Sequence, residues 1–262
     1  MAKDCKLTEK VDIMPDIKVS IKSLYKIFGR NPHSMVDLVK GGMSKSDLLE
    51  KHGHVLGLDN VNIDVKKKQI QVIMGLSGSG KSTLIRHINR LIEPTSGSIV
   101  VDDDDILSMS PAELRNFRRS KASMVFQKFG LLPHRKVIDN VAYGLSIQGI
   151  NKEEALTRSN KWIESVGLTG FENHYPSQLS GGMQQRVGLA RALATDADIL
   201  LMDEAFSALD PLIRSDMQDV LLSLQEQLHK TIIFITHDLD EALKLGDDIA
   251  ILRDGAVIQS GT

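Results

Sequence analysis

The chain has 262 residues, which is long enough for one large domain or two small ones with a substantial buried core. Its apolar, charged, Gly and Pro fractions are ordinary for a globular protein and exclude a disordered or fibrous chain. The formal net charge of -2 at pH 7 gives no general attraction to nucleic acid or to an anionic membrane surface, so we expect no nucleic-acid partner.

The cysteine content and the apolar runs indicate the compartment. The single cysteine, Cys5, excludes an internal disulfide and fits a reducing environment. No uninterrupted apolar run approaches the roughly 18 to 20 residues that a bilayer span needs, and residues 1–10 lack the apolar core of a secretory signal. We therefore predict a soluble, cytoplasmic protein that reaches a membrane only through a protein partner.

The first predicted elements are strands separated by an insertion. After a polar tail over residues 1–16, alternating apolar and polar residues at 17–22 predict a half-buried strand. Residues 30–54 are mostly polar and are interpreted as an inserted helical segment with a break at Gly41-Gly42. Residues 61–65 and 70–74 are predicted to pair with each other as a second strand pair, joined by a hairpin.

From residue 70 onward, strand patterns alternate with helix patterns, which predicts an α/β domain with a largely parallel sheet. Asp210 is a suitable cap for the last long helix, and Pro211 suits its first position. Helical patterns dominate about residues 111–184, which predicts a helical subdomain inserted into the α/β core. Further strands are predicted at residues 123–126, 199–202, 232–235 and 249–252. Helices are predicted at residues 81–91, 152–166, 181–194 and 211–228.

Residues 75–82, with the sequence GLSGSGKS, match the P-loop pattern G-x-x-x-x-G-K-[ST] between a predicted strand and a predicted helix. Glycines let the backbone curl so that its N–H groups point at phosphate oxygens, and the helix adds the positive end of its dipole. Lys81 is expected to reach the β- and γ-phosphates, and the Ser82 hydroxyl is expected to ligate Mg²⁺. The alternative is a glycine-rich turn that binds nothing. The loop alone leaves kinase, GTPase, helicase and transporter ATPase open.

Residues 199–204, ILLMDE, are an apolar run that ends in two carboxylates. A buried parallel strand whose carboxyl end faces a ligand has this pattern, with Asp203 organising Mg²⁺. Glu204 is then placed to polarise a water as a general base. Many strands end in a solvated acidic turn, so this motif alone is weak evidence for a metal site. The P-loop upstream supports this interpretation.

Residues 179–186, LSGGMQQR, resemble the signature of ABC ATPases, with Met183 inserted before the glutamine. Ser180, Gly181 and Gly182 would form a second anion site at the start of a helix. A simple N-capped helix explains the serine but not two glycines in the first turn, where they lower helix stability. In this family, the signature of one subunit closes over the P-loop of a second copy. The resemblance therefore implies a nucleotide-sandwich dimer.

The resemblance covers nearly the whole chain. It implies a P-loop NTPase core with a mainly parallel sheet, an antiparallel β subdomain and the inserted helical subdomain, together forming one nucleotide-binding domain over residues 17–262. Phe28 matches the aromatic that stacks on adenine, with Tyr25 as the fallback and plain strand packing as the alternative. Gln127 matches the glutamine that contacts Mg²⁺ and water, and His237 matches the histidine that contacts the γ-phosphate.

The expected site residues follow from these motifs. Catalytic roles are expected for Lys81, Gln127, Glu204 and His237, and metal contacts for Ser82, Gln127 and Asp203. Nucleotide contacts are expected for Phe28, Gly75, Ser77, Gly78, Ser79, Gly80, Lys81, Ser82, Thr83, Ser180, Gly181, Gly182 and Asp210. Asp210 belongs to the SALD segment at 207–210, which matches the loop that crosses between subunits. The expected cofactors are ATP and Mg²⁺.

Segments 74–95, 124–127 and 201–214 look like the glycine betaine/proline uptake ATPases, and an insertion over about residues 30–55 fits that branch. The resemblance implies a transmembrane permease as partner, an extracytoplasmic substrate-binding protein, and a peripheral position on the cytoplasmic face of the membrane. The groove for the permease is expected around residues 127–135. Family members commonly continue into tandem CBS domains, whereas this chain ends at Thr262.

Two departures from the family pattern affect turns and not phosphate chemistry. Lys66-Lys67-Lys68-Gln69 replaces a Glu-Gly-Glu turn, and an acidic run at 102–105 replaces a glycine turn.

The main alternative is an importer ATPase for another solute, such as a polar amino acid. A non-transport ABC ATPase is a poorer fit, because DNA-maintenance members need a long coiled coil between P-loop and signature.

Overall fold

Two β-sheets and the helices around them form the protein in the computed structural model, which describes residues 16–127, 129–207 and 209–262. The predicted tail and Cys5 lie outside the described residues, apart from Asp16. The strands are β1 (Ile17–Phe28), β2 (Val55–Lys66), β3 (Ile70–Met74), β4 (Ser96–Val101), β5 (Asp104–Asp105), β6 (Ala122–Val125), β7 (Ile199–Asp203), β8 (Thr231–Thr236), β9 (Asp248–Arg253) and β10 (Ala256–Gly261).

The helices fill the intervals between the strands. They are α1 (Val36–Lys40), α2 (Lys45–His52), α3 (Lys81–Ile88), α4 (Pro111–Ser120), α5 (Val137–Val141), α6 (Tyr143–Gln148), α7 (Lys152–Ser165), α8 (Gly181–Ala194), α9 (Pro211–Leu228) and α10 (Leu239–Leu245). Short 3-10 helices lie at Pro32–Met35 and Pro176–Gln178. None of the helices in the described ranges is both long enough and apolar enough to cross a membrane.

The larger sheet has the strand order β10-β9-β3-β8-β7-β6, and all neighbours from β9 to β6 run parallel. Every residue of β7 and β8 is buried, because both faces of this sheet are covered. Leu200 faces a core shared with α5, α7 and α8, whereas Leu201 faces α3 and the smaller sheet. The carboxyl ends of β3, β7 and β8 therefore lie side by side, which brings their following loops together.

The smaller sheet is antiparallel, in the order β2-β1-β4-β5. Its strands alternate buried and exposed residues, as expected for a sheet with one solvated face. The predicted pairing of residues 61–65 with 70–74 is wrong, because β2 pairs with β1 and β3 lies between β8 and β9. The physical reason is that β3 is buried on both faces and suits the centre of the parallel sheet.

Among its described residues, the segment between β6 and β7 contains helices and connecting loops but no strand, as predicted. Whether residues 111–184 form a separate subdomain stays a prediction. Helix α9 begins at Pro211 as expected, but the predicted capping by the Asp210 side chain is wrong. The Asp210 carboxylate makes no capping hydrogen bond, and its main-chain oxygen accepts from the Arg214 amide instead. Pro211, at the first helical position, removes one of the four amide donors that lack a partner at a helix start.

The insertion between β1 and β2 is helical and breaks at Gly41-Gly42, as predicted. It has its own small core, in which Leu48 of α2 is fully buried with Tyr25 and Ile27 of β1. His54 joins its two ends, because its ring nitrogens lie 2.6 Å from the His52 carbonyl oxygen and 2.7 Å from that of Arg30. Through Leu48, α2 packs against Tyr25 and Ile27 of β1 and against Leu56 of β2.

Replacing Leu48 with Ala is expected to lower the free energy of unfolding by about 2–4 kcal/mol, because the change leaves a cavity in the small core. The adjacent Leu49 is 53% exposed, and its replacement with Ala should change the free energy by less than about 0.5 kcal/mol. Urea unfolding of both variants measures the difference. Equal effects at the two positions would contradict this account of how the insertion is held.

Candidate functional site

The loop between β3 and α3 curls tightly because glycines occupy its critical positions. Gly78 and Gly80 have φ angles of 78° and 105°, a region that favours glycine. A Cβ atom on Gly75 would lie 2.2 Å from the Leu252 carbonyl oxygen, so a larger residue cannot occupy this position. The loop ends at the amino terminus of α3, where its amide groups and the helix dipole favour an anion. The predicted P-loop is therefore a tight, glycine-dependent turn at the amino terminus of a helix.

Lys81 is buried at the first position of α3 and bends back over the loop. Its ammonium group donates to the carbonyl oxygens of Gly75, at 2.7 Å, and Leu76, at 2.9 Å. The same nitrogen lies 3.7 Å from Oε1 of Glu204. The charge of Lys81 is thus held inside the loop, beside the predicted catalytic carboxylate.

Asp203 ends β7 and is completely buried. The Ser82 hydroxyl donates to its Oδ1 at 2.6 Å, and the Arg86 guanidinium donates to its Oδ2 at 3.0 Å. The structure thus brings two of the three predicted metal ligands, Ser82 and Asp203, into direct contact. The prediction from sequence missed Arg86, although it lies four residues after Ser82 and therefore on the same helix face.

Glu204 follows Asp203 with a φ of 47°, a left-handed conformation that is uncommon outside glycine. The Gln127 side-chain amide donates to its Oε2 at 2.9 Å, and the His237 Nδ1 atom lies 3.8 Å from the same oxygen. Gln127, Glu204 and His237, which were predicted from separate motifs, each follow a different strand. In the folded chain, Gln127 and His237 both lie near the Glu204 carboxylate. Their roles in chemistry stay predictions.

A cleft of about 350 Å³ opens between the P-loop and the insertion, and we call it the P-loop cleft. Phe28 lines it and is 40% exposed, whereas Tyr25 is buried in the core of the insertion. The structure thus places Phe28, and not the fallback Tyr25, where a base could stack. The lining residues are Phe28, Lys45, Val55, Leu56, Gly57, Ser77, Gly78, Gly80, Lys81, Ser82, Thr83, Gln127 and Glu204.

Ser180 caps α8 by accepting a hydrogen bond from the Met183 amide at 3.3 Å, and Gly181 and Gly182 form the first turn. Neither these three residues nor Asp210 line the P-loop cleft of the same chain. One chain thus brings together the P-loop, Asp203, Glu204, Gln127 and His237, but not the signature. Contacts of the signature and of Asp210 with a nucleotide stay predictions.

One of the buried histidines, His87, lies outside this group. His87 of α3 is fully buried, and burial lowers its pKa to about 4, so the ring is neutral near pH 7. Near Phe28, burial likewise lowers the pKa of Lys26, whose ammonium lies 5.0 Å from the centre of the Phe28 ring.

The donor set fits a phosphate chain and a hard divalent cation. The Ser79 hydroxyl is buried inside the P-loop and has no hydrogen-bond partner among the described residues, so an acceptor placed there would satisfy it. Ser82 and Asp203 offer oxygen ligands, which Mg²⁺ prefers. The amide groups of the curled loop supply further donors for phosphate oxygens.

Comparisons with known proteins show the family to which the chain is related. Residues 58–207 match the family model described as ABC transporter. The chain is 56% identical, over 96% of its length, to the glycine betaine transport ATP-binding protein OpuAA of Bacillus subtilis (strain 168). It is 54% identical, over 94% of its length, to the glycine betaine/proline betaine transport system ATP-binding protein ProV of Escherichia coli (strain K12). The chain spans 60% and 62% of the length of these relatives.

A solved structure supports the same assignment. The dimeric ATP-binding cassette MJ0796, in a post-hydrolysis state bound to ADP and Pi, matches with a TM-score of 0.80 and 33% identity. The match covers 93% of this chain and 98% of that cassette, which confirms the predicted ABC ATPase fold. Both its sequence and its structure show that the chain belongs to the ABC transporter family.

Proposed function

We propose that the chain is the ATP-binding and ATP-hydrolysing subunit of an ABC importer and works as one half of a nucleotide-sandwich dimer. The observation that carries this proposal is the position of Glu204. Its carboxylate lies 3.7 Å from the Lys81 ammonium and accepts a hydrogen bond from Gln127 at 2.9 Å, at the wall of the P-loop cleft. A base beside a phosphate-binding lysine suits attack of water on a terminal phosphate.

Different residues of one chain bind the metal, stabilise the phosphoryl group and activate water during ATP hydrolysis. Ser82 and Asp203 would hold Mg²⁺, which neutralises phosphate charge when bound. Lys81 and the P-loop amides stabilise charge on the transferring phosphoryl group. Glu204 accepts a proton from the attacking water, and Gln127 orients the carboxylate for this step. His237 contributes a contact to the terminal phosphate.

The dimer completes the site. Ser180 and its two following glycines present a hydroxyl and amide groups at the start of α8, outside the P-loop cleft of their own chain. Two chains arranged head to tail place the signature of each over the P-loop of the other. Support comes from the dimeric state of the related cassette that is bound to ADP and Pi.

The proposed cargo is glycine betaine or a related quaternary amine or proline osmoprotectant. Two relatives at 56% and 54% identity carry glycine betaine transport in their names, which supports this choice. The partners would be a transmembrane permease, bound near residues 127–135, and indirectly an extracytoplasmic substrate-binding protein. The chain would then lie on the cytoplasmic face of the membrane.

Replacing Glu204 with Gln is expected to reduce ATP turnover by about 100-fold or more, because an amide cannot accept the proton from water. ATP binding should persist, so the variant should accumulate as an ATP-bound dimer. The measurements are steady-state ATPase activity and the oligomeric state with ATP by size-exclusion chromatography. Replacement of the exposed Glu226 of α9 with Gln serves as the control. Normal turnover of the Glu204 variant would remove this residue from the role of base.

The cargo is tested in a reconstituted complex with the permease and the substrate-binding protein. Glycine betaine, carnitine, choline or proline should stimulate ATP hydrolysis, because loaded binding protein favours the closed dimer. Stimulation by a polar amino acid and by none of these four compounds would contradict the osmoprotectant assignment. The hydrolytic role of the chain would stand in that case.

A further inference from the structure

The insertion contributes a positive charge to the P-loop cleft. Lys45, the first residue of α2, lines the cleft together with Phe28, Ser82 and Thr83. Its side chain is exposed, and it makes no ion pair within the described part of the chain. The other lysine of the cleft, Lys81, is buried and already donates to two loop carbonyl oxygens.

Helix stability does not explain a lysine at this position. The amino terminus of a helix carries partial positive charge, so Lys45 is placed where the dipole disfavours a cation. The acid nearest in sequence is occupied, because the Asp47 carboxylate accepts from Ser44 at 2.9 Å and pairs with Lys51 at 2.8 Å. These two partners lower the pKa of Asp47. Among the residues that the structure describes, Lys45 therefore has no ion-pair partner, and it lines the cleft.

The helix that carries Lys45 is held in place. Ser44 caps it by accepting from the Asp47 amide at 3.0 Å, and Leu48 buries its side chain in the core of the insertion. At the base of the insertion, a Cβ atom on Gly29 would lie 2.3 Å from the His54 ring, so glycine permits this close junction. The start of α2, which lines the same cleft as Phe28, is thus fixed to the rest of the insertion.

We propose that Lys45 is a nucleotide-binding residue, supplied by the insertion, whose ammonium group contacts phosphate oxygens of the ATP held in the P-loop cleft. An ammonium group only donates hydrogen bonds and carries a full positive charge, so its natural partner in this cleft is an anionic oxygen. This role rests on the proposed function to the extent that ATP is the ligand.

The test is equilibrium binding of ATP to the full chain by isothermal titration calorimetry. Lys45→Ala should weaken ATP binding about two- to fivefold, as expected for loss of an exposed charge pair. Lys45→Arg should restore most of the affinity, and the loss in Lys45→Ala should shrink as KCl is raised. Adenosine, which lacks phosphates, should bind wild type and Lys45→Ala equally. Lys51→Ala is the matched control, since Lys51 lies on the same helix and pairs with Asp47.

The outcomes separate the possible failures. Equal ATP affinity of wild type and Lys45→Ala would overturn the role of Lys45 and leave the proposed function intact. An equal loss of affinity for adenosine and ATP would overturn the phosphate contact. A similar loss in Lys51→Ala would show a general effect of α2 and would also overturn it. Failure of the wild-type chain to bind ATP would contradict the proposed function itself.

Discussion

The buried carboxylate of Asp203 links the two halves of the site. A charge that is removed from water is costly unless it is paired and hydrogen bonded. Both partners of Asp203 come from α3, through the Ser82 hydroxyl at 2.6 Å and the Arg86 guanidinium at 3.0 Å. The end of β7 is therefore tied to the helix that follows the P-loop. Any shift of α3 relative to β7 would leave a buried carboxylate without a partner.

The remaining geometry depends on this link. Because Asp203 is fixed, Glu204 directly after it lies within 3.7 Å of Lys81 and within reach of Gln127. The parallel order of β3, β8 and β7 adds His237, which follows β8 at the same edge of the sheet. The smaller sheet and the insertion then close the other side of the cleft with Phe28 and Lys45. Under the proposed function, chemistry on the terminal phosphate and contacts to the rest of the nucleotide would thus come from different layers of the fold.

Sequence patterns predicted the local features of this site well. The P-loop at 75–82 and helices α8 and α9 begin and end where motif, glycine and proline positions indicated. These features depend on residues close in sequence, so a single chain contains the necessary information. The resemblance to ABC ATPases then connected motifs that lie far apart.

Features that depend on distant partners were harder to predict. The pairing of 61–65 with 70–74 was wrong because adjacency in sequence does not determine which sheet a strand joins. Strands β4 and β10 were missed, since both are stabilised by pairing with β1 and β9 and not by a strong local pattern. Neither Arg86 nor Lys45 belongs to a recognised motif, and only the folded chain brings them to Asp203 and to the cleft.

The proposed dimer shares each of its active sites between two chains. This sharing is tested most directly by mixing two variants, Lys81→Ala and Ser180→Arg, each of which should be inactive alone. A mixed dimer places both lesions in one of its two sites and leaves the other site intact. After subunit exchange, ATPase activity of up to about a quarter of the wild-type value is expected, because about half of the dimers are mixed. A mixture no more active than its separate components would contradict the shared site.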